Sequence, residues 1–436
     1  MEPMAWVALV IFAIAIVAVI TNVIDSTAAA LVGVVAMVWF GVMTEVDAFN
    51  YVDWNVMAIL ASIWIIAGYF GKTGVPSWLS VQALRLSGGR PGLLVMILSM
   101  LAGVISMFVD NVVTILMMAP VALPLARAMG LSAVPVVLMI GFSANFMGTA
   151  LLLGDLPPQM LHSVSGAEFG DFIWQFGRPS SFPILMVTFV VTLAAMYAYG
   201  FRGRARMSVE KAGIDFRIPD PLFAAIVVAW FLLTVLGMAL REHLGVKLGF
   251  IALTGAVSLV LVLEFMGKRL KSPSFEEIVQ ELDWRAIFFY IALFALVGGL
   301  EKAKILETLA HAMTPLFRDN LVLGATLLYW ITIPIVGIVE HDAYILTFLH
   351  TIKDLKDAGV EPWPLWWMLL WSGTLGSNLT IAGAPALYVA LSIAEKEESR
   401  KVSLREFLAW SVPFTIVACL VCYVLGLVIW VLPYVK

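Results

Sequence analysis

Phe108-Val109-Asp110-Asn111-Val112-Val113-Thr114 places a carboxylate inside a long apolar run, and Val339-Glu340-His341-Asp342-Ala343-Tyr344 interrupts a second run in the same way. An ionised group buried in a bilayer is costly unless a partner or water compensates it, so both tracts are candidate sites. Residue 340 lies 230 positions after residue 110. The same offset carries Val52-Asp53-Trp54 onto Leu282-Asp283-Trp284, and Gly71-Lys72-Thr73-Gly74 onto Glu301-Lys302-Ala303-Lys304. The chain therefore reads as two copies of one unit.

Composition fixes the class. Hydrophobic residues make up 62% of the 436 and charged residues 13%, with a mean hydropathy of +0.99; soluble domains carry about 25% charged residues. Runs such as 4–23, 222–240 and 250–265 could not all be covered by so few polar side chains, which excludes a soluble fold. The chain is expected to be an all-α integral membrane protein in contact with lipid. Its net charge of -4 and lack of a basic tract speak against nucleic acid. No G-x-x-x-x-G-K-[ST] motif or H-E-x-x-H pattern occurs, so neither ATP hydrolysis nor a metal site is expected, and no cofactor is implied. Met1-Glu2-Pro3 lacks the positive region of a signal peptide, so 4–23 reads as a retained helix. Cys419 and Cys422 share one face of the last apolar run, where ordinary packing is the expectation.

Spanning helices are expected near 4–23, 28–43, 54–70, 181–200, 222–240, 246–265, 285–300 and 406–433. The regions 92–129 and 321–358 read as helical hairpins that enter the membrane and return. The regions 132–175 and 366–394 are interrupted by Gly and Pro clusters and read as helices broken mid-membrane. Lys and Arg gather in the loops around 202–217, 268–271 and 396–405, which places those loops in the cytoplasm and both termini outside. Asp53-Trp54 then starts its unit from outside and Asp283-Trp284 from inside. Inverted repeats with discontinuous helices and re-entrant hairpins are a recurrent architecture of secondary transporters. The expected divisions are 1–50, added helices; 51–200, first repeat; 201–280, basic loop and linking helix pair; and 281–436, second repeat.

Candidate ligands lie at the tips and breaks: Asp110, Asn111 and Thr114, then Ser143, Asn145, Thr149 and Asp155, with Ser377, Asn378 and Thr380 in the second half. A broken helix exposes unpaired N–H groups at one end and carbonyls at the other, and Asn, Ser and Thr add neutral donors and acceptors. Asp110 stands out because Met107, Phe108 and Val109 precede it; the alternative is a buried ion pair with Arg127 or Lys72. Asp155 could equally cap the helix that follows it. Glu340, His341 and Asp342 are consecutive titratable groups suited, with Asp110, to proton uptake and release. Glu276-Glu277 and Glu395 to Glu398 read as solvated loop residues, and the Trp363 to Trp367 cluster as a membrane-interface marker.

Phe108 to Thr114 with Met118-Ala119-Pro120, followed by Ala144-Asn145-Phe146-Met147-Gly148-Thr149 and Leu153-Gly154-Asp155, resembles the ion transporter superfamily. Within it the likeness is to ArsB-type arsenite permeases, the P-protein type and NhaD-type sodium/proton antiporters. Leu282 to Lys302 resembles the start of the second repeat, and Trp366 to Ala384 its broken helix. The resemblance implies a scaffold and a transport domain, an elevator-like movement of the latter, a homodimer and efflux driven by protons. It also implies a prokaryotic inner membrane. The solute expected is arsenite or antimonite, with sodium/proton antiport as the alternative and organic-anion transport third; a separate ATPase subunit is left open. The family's second tip carries Asp-Asn, whereas Glu340-His341-Asp342 stands here, and Gln159 is nearest to the Asn expected after the first break.

Overall fold

Polar caps mark where several of the apolar helices begin. The computed structural model describes residues 3–21, 24–203, 217–338, 341–381 and 383–435. Glu340 and the basic stretch containing Arg204, Arg206 and Lys211 lie outside the described residues. Helix α1 (Pro3–Thr21) precedes α2 (Ser26–Trp39), whose first turn is capped by Asp25 Oδ1. Short α3 (Glu45–Asn50) starts with a capping box between Thr44 and Asp47. Asp53 then accepts from the Asn55 and Val56 amides to start α4 (Trp54–Lys72). Such caps satisfy N–H groups that a bilayer could not.

After α5 (Val75–Leu86), α6 (Pro91–Ser106) and α7 (Asn111–Ala128) form the first hairpin, with Asp110 at its tip. The first broken helix is α8 (Ala133–Met147), an irregular stretch at 148–155, and α9 (Leu156–Ser165). A small antiparallel pair, β1 (Trp174–Gln175) with β2 (Arg178–Pro179), leads into α10 (Ser181–Met196), which ends in a π turn at 197–201. Next come α11 (Pro221–Ala239), one-turn α12 (Arg241–Leu244) and α13 (Leu248–Met266).

The first unit's order then recurs. Helix α14 (Phe275–Gln280) has a capping box between Ser274 and Glu277, at the +230 positions of Thr44 and Asp47. Helix α15 (Trp284–Lys302) is capped by Asp283, and the Trp284 indole donates to the Val279 carbonyl as the Trp54 indole does to that of Phe49. There follow α16 (Ile305–Asp319), the second hairpin of α17 (Leu321–Val336) and α18 (His341–Leu355), and the second broken helix, α19 (Pro362–Ser377) and α20 (Pro385–Glu398). Helix α21 (Leu404–Gly426) ends in a π turn at 427–431, the counterpart of the one after α10. Hairpins and broken helices thus fall where the sequence places them.

Two groups of helices emerge from the packing. Every residue of α8 is buried, as is all of α19 except Trp363, because α6, α7 and α20 surround the former while α17, α18 and α21 surround the latter. A helix apolar all round belongs in such a core. The second group is built on α4 and α15. The pair read as an addition, α1 and α2, packs on α15, while the pair read as a link, α11 and α13, packs on α4. Thr27 Oγ1 donates to the Arg285 carbonyl at 3.0 Å, and the Gly249 amide donates to Asn55 Oδ1 at 2.8 Å. Among the described residues, seven helices are long and apolar enough to cross a membrane.

Three surface expectations are corrected. Trp366 and Trp367 are buried rather than interfacial; Trp367 stacks on Trp371 at 5.7 Å and donates to Gln175 Oε1 at 3.0 Å. Glu395, Glu397 and Glu398 sit on α20 and engage Lys401, Arg127 and Arg400 instead of being merely solvated. Glu276 and Glu277 belong to the first turn of α14, where Glu277 completes the capping box.

Candidate functional site

The first tip is held by its own helix start. Asp110 Oδ1 accepts from the amides of Val112 at 2.9 Å and Val113 at 3.2 Å, and Thr114 Oγ1 donates to the Val109 carbonyl at 3.3 Å. These bonds fix Asn111 so that its side chain reaches the neighbouring break. Asn111 Nδ2 donates to Asn145 Oδ1 at 3.1 Å and to Asp155 Oδ2 at 3.0 Å. Asp155 Oδ1 accepts from the Leu156 amide at 2.9 Å. Asp155 is therefore both the cap of α9 and part of the polar cluster.

Asn145 joins the two halves. Its Nδ2 donates to Ser377 Oγ at 2.9 Å and Asn378 Oδ1 at 3.2 Å, across more than half the chain. Beside it Thr149 Oγ1 bonds to Thr374 Oγ1 at 2.8 Å, and Ser181 Oγ donates to the Thr149 carbonyl at 2.9 Å. Asn145, Thr149, Ser377 and Asn378 are fully buried, which makes each bond costly to lose. Ser143 Oγ, Gln159 Oε1 and Asn378 Nδ2 are among the buried polar atoms that have no hydrogen-bond partner within the described residues. Buried polar atoms of this kind call for a ligand or water.

Packing at the breaks leaves no room for side chains. A Cβ on Gly154 would lie 2.2 Å from the Ser106 carbonyl oxygen, and one on Gly383 would lie 2.1 Å from that of Ser377. The glycines let each broken helix fold back on itself beside the tip. In the second half the tip contact is made by His341, whose Nδ1 lies 3.0 Å from the Gly383 carbonyl and whose Nε2 lies 3.5 Å from Asp342 Oδ1. His341 stands at the +230 position of Asn111, and each reaches the break of its own half.

A narrow cleft runs between α4 and this cluster, lined by Leu60, Ile63, Trp64, Asp110, Leu153, Gly154, Asp155 and Gln159. Two carboxylates and the Gln159 amide line it opposite the apolar residues of α4, and in this conformation it is too tight to admit a water molecule. The basic residues considered as partners of Asp110 are held elsewhere: Lys72 by Glu281 at 2.5 Å and Arg127 by Glu397 at 2.5 Å.

The structure thus brings Asp110, Asn111, Asn145, Thr149, Asp155, Ser377 and Asn378 into one polar region, with Ser143 on the same buried helix. Thr114 and Thr380 instead bond to backbone in or beside the tips, Thr380 to the Gly337 carbonyl. Sequence reading passed over Thr374 and Ser181 as members of this region and did not place Gln159 in it. Thr374 was detectable, since it follows Asn145 by 229 positions, the offset that also relates Gly154 to Gly383.

Comparisons with known proteins agree with this architecture. The sequence profile of a family described as "Citrate transporter" matches residues 16–372. An uncharacterized transporter of Mycobacterium tuberculosis is 29% identical over 408 residues, covering 90% of this chain and 91% of that protein. The human P protein is 22% identical over 462 residues, covering 86% of this chain and 54% of its own length. Among solved structures, the Alcanivorax borkumensis YdaH transporter superposes with a TM-score of 0.59 at 13% identity, covering 98% and 97% of the two chains. MtrF of Neisseria gonorrhoeae, described in terms of antimetabolite efflux pumps, gives 0.59 at 10% identity, covering 99% and 96%.

Proposed function

Because the chain belongs to the citrate transporter family, CitMHS, and is a membrane-embedded secondary transporter rather than an enzyme, we propose that it exchanges protons for a small solute bound where the tips meet the breaks. The observation that carries this reading is the buried amide of Asn145, which ties the Asp110–Asn111 tip to the second broken helix. Asp110 is the proton-exchanging carboxylate in this reading, assisted in the second half by His341, Asp342 and Glu340.

A neutral trihydroxy metalloid, arsenite or antimonite, is the leading solute. Its hydroxyls need donors and acceptors without a strong counter-charge, and Ser143, Asn145, Thr149, Ser377 and Asn378 are of that type. Neither tip nor either break contains Lys or Arg, so a free carboxylate anion finds no counter-charge there. Citrate, the solute in the family's description, would fit better with a cation bound to it. The second reading is sodium/proton antiport, favoured by the cleft in which Asp110, Asp155 and Gln159 present oxygens.

The movement is an elevator in this proposal, with α4, α15 and the pairs packed on them as scaffold, and the hairpins and broken helices as the moving body. The two units are inverted, a reading supported by Lys72 at the end of α4 pairing with Glu281 just before α15, while Lys302 at the end of α15 pairs with Asp47 just before α4. The test is proton movement in proteoliposomes on addition of arsenite, antimonite, sodium, lithium, or citrate with and without magnesium. A metalloid response that disappears in Asp110→Asn is expected. A response to alkali ions alone would select the antiport reading, and one to citrate with magnesium alone would make the solute a chelate.

A further inference from the structure

Three polar groups at the start of α4 form a line whose polarity is forced. The Gly249 N–H donates to Asn55 Oδ1, so the amide nitrogen must point the other way, and it lies 3.3 Å from His162 Nε2. Across the ring, Nδ1 lies 2.7 Å from the Ala167 carbonyl, which can only accept. Nδ1 therefore carries the hydrogen, and Nε2 accepts from Asn55. A second proton on the ring would face an NH2 group with no lone pair to offer. Nor can Asn55 turn over, because its NH2 would then meet the Gly249 N–H.

This line crosses between the two groups of helices. Asn55 belongs to α4 and Gly249 to α13, whereas His162 occupies the last turn of α9, the helix that begins at Asp155 and carries Gln159. Ser163 Oγ donates to Asp53 Oδ2 at 2.5 Å beside it, so the end of α9 is seated on the start of α4 through adjacent side chains.

We propose that Asn55 and His162 form a proton-sensitive positioning contact. It seats α9, and with it Asp155 and Gln159, against α4 while the ring is neutral, and releases them when the ring takes up a proton. The proposal rests on the reading that α4 and α9 belong to bodies that move past each other. In the orientation proposed above the contact faces outside, where an inward proton gradient makes protons most abundant. It would favour movement of the loaded body when protons are available to drive exchange.

Burial opposes charging of the ring most strongly, and two charged groups act on it from its surroundings, Asp53 at the cap of α4 favouring the proton and Arg241 on α12 opposing it. Arg241 is itself paired with Glu168. Helices α18 and α19 also pack on α9, but the ionisable residues His341, Asp342, His350, Lys353 and Asp354 of α18 make none of the ring's hydrogen bonds or ion pairs. The Asn55 contact is thus the bond that a second proton removes.

Hydrogen exchange over residues 156–168 tests this without any transported solute. It would be followed on purified protein from about pH 7.5 to about pH 4.5, a window that reaches below the ordinary imidazole range because burial opposes the second proton, with intrinsic rates corrected. In the wild type, protection should fall about fivefold as pH drops, the size expected for one lost hydrogen bond. His162→Gln, which keeps a donor and an acceptor, should show no pH response. Asn55→Asp should reverse it, since a carboxylate then faces the protonated ring while Gly249 keeps its acceptor. Wild-type protection that ignores pH, or an equal fall in His162→Gln, would overturn the proposal. Transport by the same variants supplies the functional readout: the pH profile should flatten in His162→Gln and invert in Asn55→Asp. A normal exchange response with no transport of any solute tested would leave this contact standing and remove the solute assignment instead.

Discussion

Asn145 uses both ends of one amide, and that makes its substitutions unequal. Asn145→Asp keeps the acceptor for Asn111 but turns the donor facing Ser377 and Asn378 into a buried charge close to Asp155, whereas Asn145→Ala only removes bonds. A buried charge without a partner costs more than a missing hydrogen bond. Asn145→Ala should lower stability by about 1–3 kcal/mol, and Asn145→Asp by more, with transport lost in both. Thermal unfolding in detergent, beside proteoliposome uptake, reads the difference; equal midpoints would mean that water reaches the site. Glu398 gives a prediction that depends on pH. Its Oε1 accepts from the Ala133 and Val134 amides and the Ser132 hydroxyl, closing the first turn of α8 from the end of α20. Burial pushes its carboxyl pKa up, but Ser132, the Val134 amide and Arg400 outweigh that and hold it below the ordinary glutamate value. Its stabilisation is therefore complete above the unfolded-state pKa and is lost as pH falls through the lower folded value. Glu398→Gln should cost about 1 kcal/mol near neutral pH, and the gap from wild type should close in acid. A gap that widens in acid would reverse the sign of this argument.

At the scale of elements, the breaks depend on two glycines for space rather than for backbone freedom. Neither Gly154 nor Gly383 has a positive φ, yet a methyl group at either would meet backbone carbonyl oxygen at little more than 2 Å. Backbone cannot swing aside as a flexible side chain can, so Gly154→Ala and Gly383→Ala should each push tip and break apart and abolish transport. Gly166→Ala is the contrasting case. Its φ is +77° with nothing within 4 Å of the added methyl, so only backbone strain of about 1–2 kcal/mol opposes it. Transport should survive there, with a modest fall in thermal midpoint; survival of Gly154→Ala would show that the break is looser than its contacts imply. These elements were legible in sequence because each interrupts an apolar run with polar or small residues, and because Asp53-Trp54 recurs as Asp283-Trp284. The packing partners were not legible. Helices α1, α2, α11 and α13 carry apolar residues on most faces, so nothing in their pattern says that each pair sits on the opposite unit. The Trp366–Trp367 reading failed for a related reason: an indole is equally at home at a headgroup or in a core that offers its N–H an acceptor, here the Leu349 carbonyl and Gln175. Asn145 was legible as a polar residue at a break, but not its bonds to Ser377 and Asn378, because sequence spacing does not reveal which break faces which.

For the whole molecule, the two Lys pairs lie at opposite ends of the α4–α15 pair. Lys72 and Glu281 meet where α4 ends and α15 is about to begin; Lys302 and Asp47 meet where α15 ends and α4 is about to begin. If each helix crosses the bilayer once, the two pairs lie on opposite sides, and the units are inverted. Both pairs are partly exposed, so they contribute at most about 1 kcal/mol apiece, and they report topology rather than hold the fold. Single cysteines placed at 72, 281, 47 and 302 can therefore replace them with little cost. The native Cys419 and Cys422 are free but buried, so they leave a low background. In intact cells an impermeant maleimide should label 47 and 302, while 72 and 281 should react only after the membrane is opened, as the Lys and Arg bias of the loops requires. The same sidedness for all four positions would refute inversion and, with it, the alternating exposure of a midplane site. The opposite sidedness would keep the inversion but turn the molecule over, placing the Asn55–His162 contact in the cytoplasm, where an inward proton gradient could not favour its release.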